Sequence, residues 1–140
     1  MDTNYTNTHK IILPKTSYLV TGICFEVHNE LGRFCREKQY SDALEEKFKN
    51  LKLNYHREYK IADSGNIADF LIENEEGRLL IEVKAKRLIL KEDFYQAQRY
   101  LQASGILLNL IVNFRNQYIK PIRVVKIETP AKQRFVSLVN

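Results

Sequence analysis

Ile67-Ala68-Asp69-Phe70-Leu71-Ile72, a turn at Asn74-Glu75-Glu76-Gly77, and then Leu79-Leu80-Ile81-Glu82-Val83-Lys84-Ala85 decide how this chain is read. Two short apolar runs joined by turn-forming residues have the pattern of a β-hairpin, yet each run carries charge in its interior. Carboxylates rarely sit inside such runs without a partner. Glu82 and Lys84 are two residues apart on a strand, so their side chains leave the same face about 6–7 Å from one another. With the two strands paired across the turn, Asp69 stands beside Glu82, and two carboxylates and an ammonium surround one point. Adjacent carboxylates repel unless a proton or a cation lies between them, and oxygen ligands with positions left for water suit Mg²⁺, with Mn²⁺ as a substitute. Such an ion can bind a phosphate oxygen, acidify a water and offset charge on a leaving oxygen, which is the chemistry of phosphodiester hydrolysis. Lys84 would hold or help deprotonate the attacking water and counter the charge that develops on phosphorus. The other reading of Glu-x-Lys is a solvated strand face, where the pair is worth well under about 1 kcal/mol. The apolar neighbours of Glu82 and Lys84 weigh against it, whereas Glu75, Glu76 and Arg78 read as the solvated turn.

Working outward, Tyr55–Ile61 alternates as a strand and Ser64-Gly65-Asn66 is turn chemistry, so residues 55–85 form a three-stranded antiparallel meander. Upstream, Thr16 or Ser17 can cap a helix whose apolar positions Val20, Ile23, Cys24, Val27 and Leu31 recur at helical spacing, with Gly32 as its stop. Residues 36–51 form a second helix with Tyr40, Ala43, Leu44, Phe48 and Leu51 on one face. Downstream come a helix over 91–103, a fully buried strand over 106–112 and a weakly alternating edge strand over 122–127. The expected fold is α/β, a mixed sheet flanked by helices in the order α-α-β-β-β-α-β-β. Residues 1–15 read as a polar arm, 16–128 as the domain and 129–140 as a tail.

A chain of 140 residues with 44% hydrophobic and 28% charged residues is a single folded domain with room for one site. Cys24 and Cys35 form no C-x-x-C pair, and His9, His28 and His56 lack zinc-site spacing. No apolar run approaches the roughly 20 residues that span a bilayer, and the start lacks the apolar stretch of a signal peptide, so a cytoplasmic protein without a membrane partner is expected. The net charge of +5 is modest, but Lys86, Arg87, Lys91 and Arg99 cluster in sequence after Lys84 and are the candidate nucleic-acid contacts. From Arg115 onward six Lys or Arg face one Glu. Backbone phosphate contacts of this kind give affinity without sequence preference. No recognition helix or stacking motif stands out.

Asp69, then Glu82-Val83-Lys84, then a helix carrying Gln96 and Tyr100 resembles the PD-(D/E)XK nuclease superfamily. More closely, Phe25-Glu26-Val27-His28-Asn29-Glu30-Leu31-Gly32, Glu37-x-x-Tyr40, Ile67-Ala68-Asp69, Ile81-Glu82-Val83-Lys84-Ala85, Gln96-x-x-x-Tyr100-Leu101 and Ser104-Gly105 are similar to the small bacterial GxxExxY proteins of that superfamily. The resemblance covers residues 16–127 and implies a restriction-endonuclease-like core and Mg²⁺-dependent hydrolysis of DNA. It implies that Asp69 and Glu82 bind the metal, that Lys84 is the catalytic lysine and that Glu37 is an additional acidic residue that holds the metal or a metal-bound water. It further implies that Gln96 orients water or phosphate, with Tyr40 and Tyr100 behind these groups, Tyr100 being equally a core residue. Two positions depart from the pattern. Phe34 stands where the glycine three residues before Glu37 is expected, which implies an altered turn between the helices, and Ala68 replaces the proline before Asp69. A nucleic-acid-binding or protein-interaction module with little turnover is the competing expectation, and a homodimer is one way for so small a chain to span a duplex.

Overall fold

The computed structural model describes residues 12–128 and 132–139. Its helices are α1 (Pro14–Leu31), α2 (Glu37–Asn50) and α3 (Lys91–Ser104). Its strands are β1 (Tyr55–Ile61), β2 (Asn66–Asn74), β3 (Gly77–Lys84), β4 (Leu108–Asn113), β5 (Ile122–Glu128) and β6 (Gln133–Val139). They lie side by side in chain order in one sheet. β3 and β4 are parallel and the other neighbours antiparallel. A parallel pair needs a crossover, and α3 supplies it. With α1 and α2 on one face and α3 on the other, this is the α/β, restriction-endonuclease-like architecture expected from the sequence. Among the described residues no helix is long and apolar enough to cross a membrane.

Two cores fill the layers. Val20, Ile23 and Val27 of α1 with Leu44 and Phe48 of α2 pack on Phe70, Ile72, Leu79, Ile81, Val83, Leu110 and Val112. Ala97, Tyr100 and Leu101 of α3 pack on Leu80, Ile111 and Val124. β4 lies between both and is buried along its whole length, which explains its unbroken apolar pattern. It starts two residues later than expected because the chain leaves α3 through Gly105 at φ 73°, and Ile106 enters the second core before pairing begins.

The β1–β2 ribbon turns over partway along. Tyr55 packs against the first core and Tyr59 and Ile61 belong to the second, although all three share strand parity. On β2, Phe70 and Ile72 point into the first core and Ala68 into the second. The reversal falls at Glu58, whose φ is 53°, and at the residue that continues the register opposite it, Asp69. A left-handed residue inside a strand breaks the alternation of side chains there.

Several sequence expectations are corrected. Pro14 is not the end of an arm but sits in the first turn of α1, where its missing N–H removes no bond; residues 1–11 lie outside the described residues. Thr16 and Ser17 do not cap α1 but lie buried within it. The cap comes from Glu76, read as a solvated turn residue. Its carboxylate accepts the Lys15 and Thr16 N–H groups at 3.1 and 2.7 Å and the Thr16 hydroxyl at 2.6 Å. β6 lies in the stretch expected to be a tail and makes β5 an interior strand. Its mostly exposed residues, polar at Gln133, Arg134 and Ser137, hide the alternation. Of the basic residues after Arg115, Arg123 and Lys126 are buried rather than solubilising.

Burial works against the Glu76 charge, but the Thr16 and Lys15 donors outweigh it and hold the carboxyl below the usual value of 4.5. A depressed folded-state value gives stability that is present above pH 4.5 and lost as pH falls through the folded value. Glu76→Ala should therefore lower stability at pH 7 by about 1 kcal/mol. The difference should shrink below pH 4.5, as urea unfolding of both proteins at several pH values would reveal.

Candidate active site

The β2–β3 hairpin closes on the two-residue loop Glu75-Glu76, and its register runs from Asn74↔Gly77 to Phe70↔Ile81. The next pair would be Asp69 with Glu82. Instead the ladder stops and the Asp69 side chain takes over, its Oδ2 accepting the Val83 N–H at 2.7 Å. The strands diverge from that point while β3 stays paired with β4 from Leu80↔Asn109 to Lys84↔Asn113. The fork so formed holds Asp69, Glu82 and Lys84, with the last two on the α3 face.

Glu82 is 3% exposed, and its Oε2 has no hydrogen-bond partner among the described residues. Burial raises its carboxyl well above the usual value, and the Asp69 charge raises it further against the opposing pull of Lys84. Asp69 is raised as well, by burial first, with the Val83 N–H and Lys84 acting against it. Two partly desolvated carboxylates that resist joint ionisation are a donor set that fits a hard divalent cation. The unpartnered Glu82 oxygen is the atom that most needs one.

Lys84 Nζ donates to Gln96 Oε1 at 3.0 Å and lies 3.8 Å from Asp93 Oδ1. The structure thus brings Gln96 against Lys84, one turn before Tyr100 on α3. Tyr100 is both core and site: it is 7% exposed, and burial followed by the Glu82 and Asp69 charges raises its hydroxyl. Glu37 lines an open cleft of about 300 Å³ with Asp69, Glu58 and Arg57, and its charge adds to the rise of the Glu82 carboxyl. Among the described residues no three carboxylate, His or Cys side chains form a ready metal-holding group. Tyr40 does not reach the carboxylates. Its hydroxyl donates to the Gly32 carbonyl at 2.6 Å and accepts the Cys35 N–H at 3.1 Å, fixing the turn from which Glu37 starts α2.

Of the four basic candidates, Arg87, Lys91 and Arg99 are exposed. Lys86 is instead paired with Asp93 at 2.6 Å. Asp93 does not stand out in the sequence. Burial disfavours its charge, yet the Lys86 hydrogen bond and the Leu90 N–H prevail and hold its carboxyl below the usual value. Sequence reasoning missed two amides in β4. Asn109 is wholly buried and faces Glu82 closely enough to favour its charged form, without a hydrogen bond of ordinary geometry. Asn113 accepts the Lys86 N–H and donates to the Lys86 carbonyl, pinning the chain just after Lys84. Two amides of one parity in an otherwise apolar strand are the signal that marks them.

The profile of the PD-(D/E)XK nuclease superfamily matches residues 14–125, and the chain belongs to that superfamily. No curated protein and no solved structure matches it.

A raised folded-state carboxyl subtracts stability as pH climbs above the unfolded value, 4.5 for Glu, toward the folded one. Glu82→Gln should therefore raise the melting temperature of the metal-free protein at pH 7 by about 4 °C, the equivalent of roughly 1 kcal/mol at this length. The gain should vanish below pH 4.5. Calorimetry in EDTA at both pH values checks it, and an unchanged or lower melting temperature at pH 7 would contradict the electrostatics described.

Proposed function

We propose that the chain is a divalent-metal-dependent nuclease that hydrolyses phosphodiester bonds in DNA. Within its superfamily we group it with the GxxExxY proteins on Gly32, Glu37 and Tyr40. The observation that carries the reading is the fork in the sheet: an unpartnered, buried Glu82 oxygen, Asp69 opposite it and Lys84 held by Gln96 beside both.

Superfamily nucleases generally use divalent metal ions, and Mg²⁺, with Mn²⁺ as a substitute, is the ion we assign to Asp69 and Glu82. When bound it supplies a Lewis acid for a phosphate oxygen and acidifies water. The remaining work belongs to the chain. Lys84 donates to the attacking water or the phosphate and offsets the charge that grows on phosphorus. Gln96 accepts from the ammonium through Oε1 and leaves its amide nitrogen to orient water or phosphate. Glu37, at the mouth of the cleft, holds an outer water. Tyr100 forms the floor and limits solvent. Arg87, Lys91 and Arg99 grip backbone phosphates, which gives a steep salt dependence and no base preference, whereas Lys86 is committed to Asp93. The location that goes with this reading is the cytoplasm, and a homodimer would let two sites face the two strands of a duplex.

A second reading, a binding module with little turnover, is favoured by the lack, among the described residues, of a preassembled three-ligand group. Incubation of plasmid and branched DNA with the purified protein and Mg²⁺ or Mn²⁺ separates the two. Cleavage should fall by at least about 100-fold in Asp69→Ala and in Lys84→Ala with folding retained. Activity that survives both substitutions would overturn the assignment, and metal binding with salt-sensitive DNA binding but no cleavage would select the second reading.

A further inference from the structure

Phe34 occupies the position where the resemblance expects glycine, and its ring is not tucked away: the residue is 75% exposed. The guanidinium carbons of Arg33 and Arg115 lie 5.0 and 5.1 Å from its ring centre. Arg33 Nε also donates to the Arg115 carbonyl at 3.0 Å, so the two cations and the ring form one unit. The unit is firmly seated. Tyr40 ties both ends of the turn and stacks on Phe114 with ring centres 4.4 Å apart. The neighbouring Asn116 carbonyl is joined to His28 Nε2 at 2.9 Å.

Short chain connections join it to the active-site residues. The Phe114 N–H donates to the Lys84 carbonyl at 2.9 Å, so Arg115 directly follows a residue bonded to the proposed catalytic lysine. Phe34 precedes Glu37, which lines the cleft with Asp69, by three residues, at most about 11 Å of chain. Two guanidinium groups stand over the Phe34 ring, yet the residue stays 75% exposed, so ring surface beyond them is left for an unstacked base while the cations take its phosphate charge. Bases of an intact duplex are stacked on each other and offer no free face to it.

We propose that Phe34, with Arg33 and Arg115, is a stacking platform for an unpaired nucleobase, and that it directs the site to single-stranded or frayed DNA within about three nucleotides of the scissile bond. The assignment rests on the nucleic-acid reading of the site. Fluorescence anisotropy in EDTA, with a labelled oligothymidylate and a blunt hairpin duplex as probes, tests it without turnover. Phe34→Ala should weaken oligothymidylate binding roughly tenfold while duplex affinity stays within about twofold, and Phe34→Trp should keep the parent affinity for both. Arg115→Ala should lower the salt dependence of single-strand binding by about one phosphate contact. Thermal melting of each variant verifies the fold. A parent protein that does not bind the oligothymidylate, a Phe34→Ala protein that binds it as the parent does, or an equal loss on both probes would each overturn the platform. If the base-stacking effect appears but no substrate is cleaved with Mg²⁺, the platform stands and the nuclease assignment falls. If DNA is cleaved and Phe34→Ala binds both probes as the parent does, the nuclease assignment stands and the platform falls.

Discussion

The hydrogen bond from the Val83 N–H to the Asp69 carboxylate is the constraint on which the site depends. A β-ladder gives each strand residue one backbone partner, and an unpaired buried N–H costs about 1–3 kcal/mol. By substituting a side-chain oxygen for that partner, Asp69 lets β2 leave β3 without an orphaned donor. The divergence opens the sheet beside Asp69. The turnover of the β1–β2 ribbon at Glu58 serves the same end, because it leaves Asp69 at the boundary between the two faces. One residue therefore joins the α2 side, where Glu37 lies, to the α3 side, where Glu82 and Lys84 lie.

Electrostatics then sets how this cleft behaves. Burial raises both carboxyls, and the Asp69 charge adds to the rise at Glu82. Lys84, the natural counter-ion, is shared: Gln96 and Asp93 hold it from the α3 side. Asp93 is shared in turn: its Oδ2 lies 2.6 Å from Lys86 Nζ and accepts the Leu90 N–H at 2.7 Å, and its Oδ1 accepts from Lys86 at 2.8 Å. Lys86 is thus bonded to both oxygens of the carboxylate that also lies nearest Lys84.

The hairpin, its charged interior and the flanking helices are legible in the sequence because they rest on local rules: alternation, helical spacing and turn chemistry. Asp69, Glu82 and Lys84 stand out because charge in an apolar strand violates the burial rule. What escapes reading depends on contacts between distant segments. Glu76 looks like any turn acid until the N-terminus of α1 is laid against it, some sixty positions earlier. Asp93 looks like a helix-start residue, and it is one, but it also faces two lysines from the preceding segment. β6 interleaves Gln133, Arg134 and Ser137 with its apolar residues, and its place is set by pairing with β5 and by Phe135 against the second core. Motif spacing puts Glu37 at the metal or a metal-bound water, but spacing along a chain does not report that Arg57 and Glu58 share its cleft with Asp69.

The same distant pairing changes the meaning of the net charge. On the α1–α2 side some cations are spoken for: Lys47 is bound to Glu26 and Glu30, and Arg57 to Asp42 and Glu45. Arg123 and Lys126 are buried in β5. Arg87, Lys91 and Arg99 stay exposed, whereas Arg33 and Arg115 are half-buried beside the Phe34 ring. Ion pairing and burial within the fold thus decide which charges reach solvent, and an excess of five counted along the sequence does not.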